Sequence, residues 1–205
     1  NARRGPLGAE RDGGRSGSLD APSDSPRPPL RTIDWCSRAF GSMVVVMNTD
    51  LELLLRALVI GTGATLAMDL WALLLRRFGV PSLDMGLLGR WIGHVAAGRF
   101  RHASIGKAAP VRGERVLGWG AHYAIGVSFA TLLLTVNGLA WARSPSLLPA
   151  LVIGIATVVA PLFVLQPALG LGVASSRTAR PLFNASKSVV THVVFGFGLF
   201  LAASA

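Results

Sequence analysis

From about Leu51 the chain alternates between long apolar runs and shorter connections rich in basic residues, and the runs are apolar nearly all round. A helix rises about 1.5 Å per residue, so about 20 apolar residues cross the roughly 30 Å hydrocarbon core of a bilayer. Four runs meet or approach that length, at 51–75, 117–136, 147–169 and 188–203, the last being the shortest. Helices buried in soluble bundles are usually shorter and keep a polar side. The pattern therefore predicts an all-α fold, an integral membrane bundle of four transmembrane helices. Trp119 and Trp141 bracket the second run. They stand about 33 Å apart along a helix, which suits an aromatic belt at each interface. Pro161 is expected to kink the third span.

The connection from Gly79 to Glu114 is longer than most in compact folds. Inside it Leu87, Leu88, Trp91, Ile92 and Val95 recur at helical spacing. Ser82 or Asp84 can cap that helix and Gly98 can end it. The expectation is a short amphipathic helix of about 14 residues lying in the membrane surface. Arg90, His94, Arg99, Arg101 and His102 are then candidates for contact with lipid headgroups or substrate. The plainer reading, an interfacial anchor beside a basic loop, carries more weight.

Residues 1–46 show no helical or strand period and are rich in Gly, Ser, Pro and Arg. Such a segment buries too little apolar surface to offset its ordering entropy, so disorder is expected. Residues 47–205 form the transmembrane domain. Met43 or Met47 is taken as the natural start, with the tail as translated upstream sequence.

Charge sharpens this picture. Only 15% of the residues are charged, against about 25% in soluble domains. The net charge of +10 is compatible with nucleic-acid binding. The basic residues, however, lie mostly between apolar runs, where they orient spans, so no nucleic-acid partner is expected. Arg76, Arg77, Arg90, Arg99, Arg101, Lys107, Arg112 and Arg115 cluster around the first connection, and Arg177, Arg180 and Lys187 around the third. Basic connections stay in the cytoplasm. Both termini are accordingly expected on the outer, periplasmic side. Cys36 is the one cysteine and can form no internal disulfide.

Candidate chemistry comes from polar residues inside the spans. Asp69 is the most informative, because a carboxylate in a membrane helix costs about 2.5–3.5 kcal/mol on insertion scales and is normally paired. Thr62, Thr65, Asp69 and Arg76 share one helical face. His122, Gln166 and His192 lie near the cytoplasmic ends of their own helices. With Asp69 they occupy one layer roughly 5–10 Å below the inner surface. Three readings stay open: interhelical hydrogen bonds that fix the bundle, a proton or ion path through Asp69 and a histidine, or a metal or haem held by His122 and His192. The first is favoured, and no cofactor or metal is expected. Gly61 and Gly63 do not make a dinucleotide loop, since no strand precedes them and the third glycine is missing. With Thr65 and Ala67, and with Gly196 and Gly198 in the last span, they let helix backbones approach closely.

Several of these stretches resemble a family of small bacterial four-helix inner-membrane proteins catalogued only as a domain of unknown function. The likeness is carried by Gly61-Thr-Gly-Ala-Thr-Leu-Ala-Met-Asp69-Leu-Trp71, Gly89-Arg-Trp-Ile-Gly-His94, Gly98-Arg-Phe-Arg-His-Ala-Ser104 and Arg112-Gly-Glu-Arg-Val-Leu-Gly-Trp119 with His122. Gln166-Pro-Ala-Leu-Gly170 and Thr191-His192 extend it. It covers roughly Leu51 to Ala202. It implies a bacterial inner-membrane protein, and it supplies no catalytic residues. No nucleophile elbow, HExxH, P-loop or paired-carboxylate motif occurs. The expectation is a non-enzymatic multi-pass protein, an ion, proton or small-solute carrier or an accessory subunit. It would work in the lipid bilayer as a homo-oligomer or beside another membrane protein. The alternative is a membrane-embedded enzyme acting on a lipid or isoprenoid.

Overall fold

The computed structural model describes residues 32–205, without the side chains at 32–37, 39 and 44–47. The tail expected over 1–46 lies largely outside these residues; from Thr32 the described chain is helical. Ser42–Ala205 form one compact unit, which holds the membrane bundle.

The described fold is all-helical. Helix α1 runs Thr32–Arg77, α2 Met85–Ala96 and α3 Glu114–Arg143. Helix α4 covers Leu147–Leu169 and α5 Pro181–Ser204. Four of these five, α1 from Phe40 together with α3, α4 and α5, are long and apolar enough to cross a membrane. Their outer surfaces are hydrocarbon. Leu54, Leu58, Val59, Leu66, Leu70 and Leu73 on α1 alone are each at least half exposed. An apolar surface of that extent is stable in lipid and not in water. The molecule is a multi-pass membrane bundle.

Small residues set the helix spacing. A Cβ on Gly61 would lie 2.5 Å from the Val127 Cα, and one on Gly126 would run into the Thr65 hydroxyl, so α1 and α3 touch backbone to backbone. Gly198 brings α5 equally close to Ala64 and Ala67 on α1. Gly154 and Gly196 do the same for α4 and α5. Without a hydrophobic drive between helices in lipid, such close contact is the main source of cohesion. Between these seams lies a core of Ala57, Ile60, Ala64, Ala130, Leu133, Leu134, Ala150, Phe195 and Leu199.

Two helices depart from regular geometry. Gly138 adopts φ 75°, ψ 168° and breaks α3. The last turn then swings inward, and Trp141 is buried in the core, its Nε1 donating to the Ser146 carbonyl at 3.2 Å. The outer aromatic anchor expected from sequence is thus a core residue, because the helix that spaced it is not continuous. In α4, Pro161 has no N–H to give, and the Ala160 N–H takes the Thr157 carbonyl at 3.1 Å. The expected kink is a π-helical stretch over Ala160–Leu165.

Helix α2 packs across the start of α3. Gly89 lies against the Glu114 carbonyl and Gly118 against that of Met85. The Asp84 carboxylate caps α2 by accepting from the Gly86 N–H at 2.8 Å.

Candidate functional site

Asp69 sits on α1 two turns before its end and faces α3. The His122 Nε2 lies 3.0 Å from Asp69 Oδ1, and the Tyr123 hydroxyl donates to Oδ2 at 2.9 Å. The Asp69 and His122 side chains are 18% and 16% exposed, so water competes weakly for their bond. His122 and Tyr123 are neighbours on α3 and point about 100° apart. A carboxylate with two oxygens spans that angle, each oxygen taking one donor. Trp119, one turn earlier, meets the His122 ring edge-on at 5.9 Å.

Where Asp69 accepts as the carboxylate, His122 Nε2 carries the hydrogen. Tyr123 supplies a neutral donor whichever form the imidazole takes.

The other polar residues of the expected layer have their own partners. His192 on α5 bonds through Nδ1 to the Thr157 hydroxyl at 3.0 Å, at the point where α4 loses regularity. Gln166 accepts from Ser175 at 2.9 Å and donates to Ser188 at 3.2 Å. It ties the turn between α4 and α5, where Ala174 and Ser175 hold positive φ, to both helices. Thr65 is buried and bonds its own helix at Gly61 at 2.8 Å, in contact with Gly126. Thr62 is exposed on the outside of α1. His122 and His192 therefore face different partners, and the layer resolves into separate pairs. Tyr123 and Thr157 were not singled out from sequence. A signal for the first existed: Asp69 has one more oxygen than His122 can serve, and the chain's single tyrosine stands beside that histidine.

The candidates in the first connection divide likewise. Arg90 forms a two-point pair with Glu114, at 2.8 and 2.7 Å, and its remaining nitrogen reaches the Ala108 and Gly106 carbonyls at 3.2 and 3.4 Å. Its hydrogen bonds to Glu114 hold Arg90 more firmly protonated than an ordinary arginine. His94 is buried and bonds the Ala109 carbonyl at 2.9 Å. His102 meets it edge-on at 4.9 Å, and neither of its buried ring nitrogens has a partner among the described residues. Arg99 and Arg101 are exposed. Arg90, His94 and His102 thus pack the connection onto the bundle, and Arg99 and Arg101 face outward.

A third polar group joins the middle of α1 to the end of α3. Glu52 pairs with Arg56 at 2.9 Å and with Arg143 at 2.6 Å, and Arg56 donates to the Ala142 carbonyl at 3.0 Å.

A family model described as a protein of unknown function (DUF2938) matches residues 58–205. That region holds Asp69, His122 and Tyr123 and leaves out Glu52 and Arg56. No curated protein and no solved structure matches the chain.

Proposed function

The chain belongs to the DUF2938 family of proteins of unknown function, and we propose that it is a multi-pass carrier for a small solute in which Asp69, His122 and Tyr123 take up and release a proton. One observation carries this reading: an ionisable acid inside the bundle is hydrogen-bonded to an imidazole on the neighbouring helix. Acids at that depth are costly and commonly mark proton relays. Histidine is the side chain whose ordinary pKa lies near neutrality. A proton held on the Asp69 carboxyl of this pair changes the charge between α1 and α3, and so their mutual attraction. Four helices leave little room for a central pore, which favours a homo-oligomer or a second membrane subunit as the working form. We place the protein in a bacterial inner membrane with the basic connections inside and both termini outside. Cysteine labelling of the segment around Arg101 from the outer side would refute that orientation.

Infrared difference spectroscopy on the reconstituted protein tests the proton site. Lowering the pH should produce a protonated-carboxyl band that is missing in Asp69→Asn and altered in His122→Gln. Identical spectra for wild type and Asp69→Asn would remove the basis of the proposal.

A second reading has one observation in its favour. Arg115, Val116, Trp119, Gly120 and Tyr123 line an open, apolar groove of about 600 Å³ on α3, and Tyr123 connects it to Asp69. An enzyme acting on a lipid or isoprenoid would need such an entrance from the bilayer. Turnover of an added isoprenoid phosphate, lost in Asp69→Asn, would decide for it.

A further inference from the structure

A second groove lies at the other flank of α1, where its last turns meet the beginning of α5. Trp71, Leu75 and Val80 form one wall and Phe183, Ser186, Lys187 and Val190 the other, around about 240 Å³. Hydrocarbon lines nearly all of it, and the one charged side chain in the lining is Lys187.

Lys187 does not stand at a helix end. Its Cα is six residues inside α5, about 9 Å along the axis. Its side chain runs outward along the apolar wall to the Pro81 carbonyl, which its Nζ meets at 2.5 Å. This is the snorkelling expected of a lysine rooted below a membrane surface. An ammonium has three protons, and Pro81 takes one. Ser186 in the same lining is exposed, and the Trp71 Nε1 is buried with no partner among the described residues. No carboxylate stands among the lining residues.

We propose that this seam is a binding site for one anionic phospholipid of the surrounding bilayer. Its acyl chain lies along Trp71, Leu75, Phe183 and Val190, and its phosphate is held by Lys187 and Ser186. Charge complementarity selects this occupant. A zwitterionic lipid would bring a positive headgroup against Lys187 in a lining that holds no carboxylate, whereas an anionic one neutralises it. Basic pockets between membrane helices are the usual form of such sites.

The test uses the full chain reconstituted in phosphatidylcholine vesicles with a minor share of acyl-brominated phosphatidylglycerol or, in a parallel series, acyl-brominated phosphatidylcholine. Bromine quenches nearby indole fluorescence, and subtracting the Trp71→Phe variant isolates the signal of Trp71. Trp71 should be quenched at about fivefold lower mole fraction of the anionic lipid, the worth of roughly one basic side chain at an anionic surface. Lys187→Gln should abolish the preference and Lys187→Arg should keep it. Equal quenching by the two lipids, or a preference that survives Lys187→Gln, overturns the proposal. Native mass spectrometry of the wild type needs no variant. Phosphatidylglycerol should stay bound where phosphatidylcholine is lost, and a dimer with no lipid preference would assign the seam to a second copy of the chain instead.

Discussion

Glu52 and Asp69 stand on the same helix, about 25 Å apart, and each reaches across to α3, yet they meet different kinds of partner. Glu52 is flanked by two arginines, and Arg143 remains 60% exposed. Both cations keep their charge at any pH a cell meets. Asp69 meets an imidazole and a phenol in a much drier place. Either can serve it in neutral form. The first group is a clasp between full charges, and the second is the one to which the proposed function assigns a proton. On the proposed function, a pair of antiparallel helices is held by ion pairs at one level and by a proton-sensitive bond at another.

The strongest way to break this contrast is to separate the helices between the clasps. Gly61 lies nine residues after Glu52 and eight before Asp69. An added Cβ there meets the backbone of Val127, which cannot move aside without the helix. Gly61→Ala should destabilise the bundle by about 2–3 kcal/mol, toward the upper end of overpacking costs, and loosen both clasps. Gly120→Ala on α3, where nothing lies within 4 Å of the new Cβ, should be neutral or gain up to about 1 kcal/mol from helix propensity. Unfolding in mixed micelles by dodecyl sulfate titration reads both; equal effects would show that the seam is not tight.

Next in size is Asp69→Asn. The amide keeps one acceptor oxygen and turns its N–H2 toward the other partner, so the charge-assisted bonds of the carboxylate are replaced by weaker neutral ones. A loss of about 1–2 kcal/mol is expected, together with loss of the protonated-carboxyl band. Tyr123→Phe removes a single hydroxyl and should cost about 1 kcal/mol or less. It should also retain the band, shifted, because His122 still holds Oδ1. A band lost entirely in Tyr123→Phe would mean that Asp69 holds the proton only with the Tyr123 hydrogen bond in place.

The sequence made the spans legible because lipid imposes one requirement, length without charge, that composition alone reveals. The glycine seams were legible for a related reason: small residues in a membrane helix have little to do except admit a neighbour. The site was readable only as a layer. Axial depth follows from residue number, so Asp69, His122, Gln166 and His192 could be placed at a common level. Which of them meet depends on the rotation of each helix, and that is decided by tertiary contacts such as Gly61 on Val127. Trp141 illustrates the same limit. One glycine with positive φ at 138 turned an interfacial anchor into a core side chain, and nothing in the apolar pattern marks that turn. The role of Arg90 was hidden likewise, since its pairing with Glu114 depends on how the connection folds back.

The smallest effect separates the clasps by their response to salt. In Glu52→Gln the two arginines lose a charged partner in a region that solvent reaches, so the loss of stability should be modest. Screening should also reduce it. The Debye length falls from about 10 Å at 0.1 M to about 3 Å at 1 M ionic strength, and exposed pairs then contribute little. Wild type and Glu52→Gln should therefore differ at low salt and converge near 1 M. The loss in Asp69→Asn should be nearly the same at both, because it arises from weakened hydrogen bonds in a region that ions enter poorly. If the Asp69 variant converged with wild type as the Glu52 variant does, the two clasps would be of one kind. The case for a proton site at Asp69 would then rest on the infrared band alone.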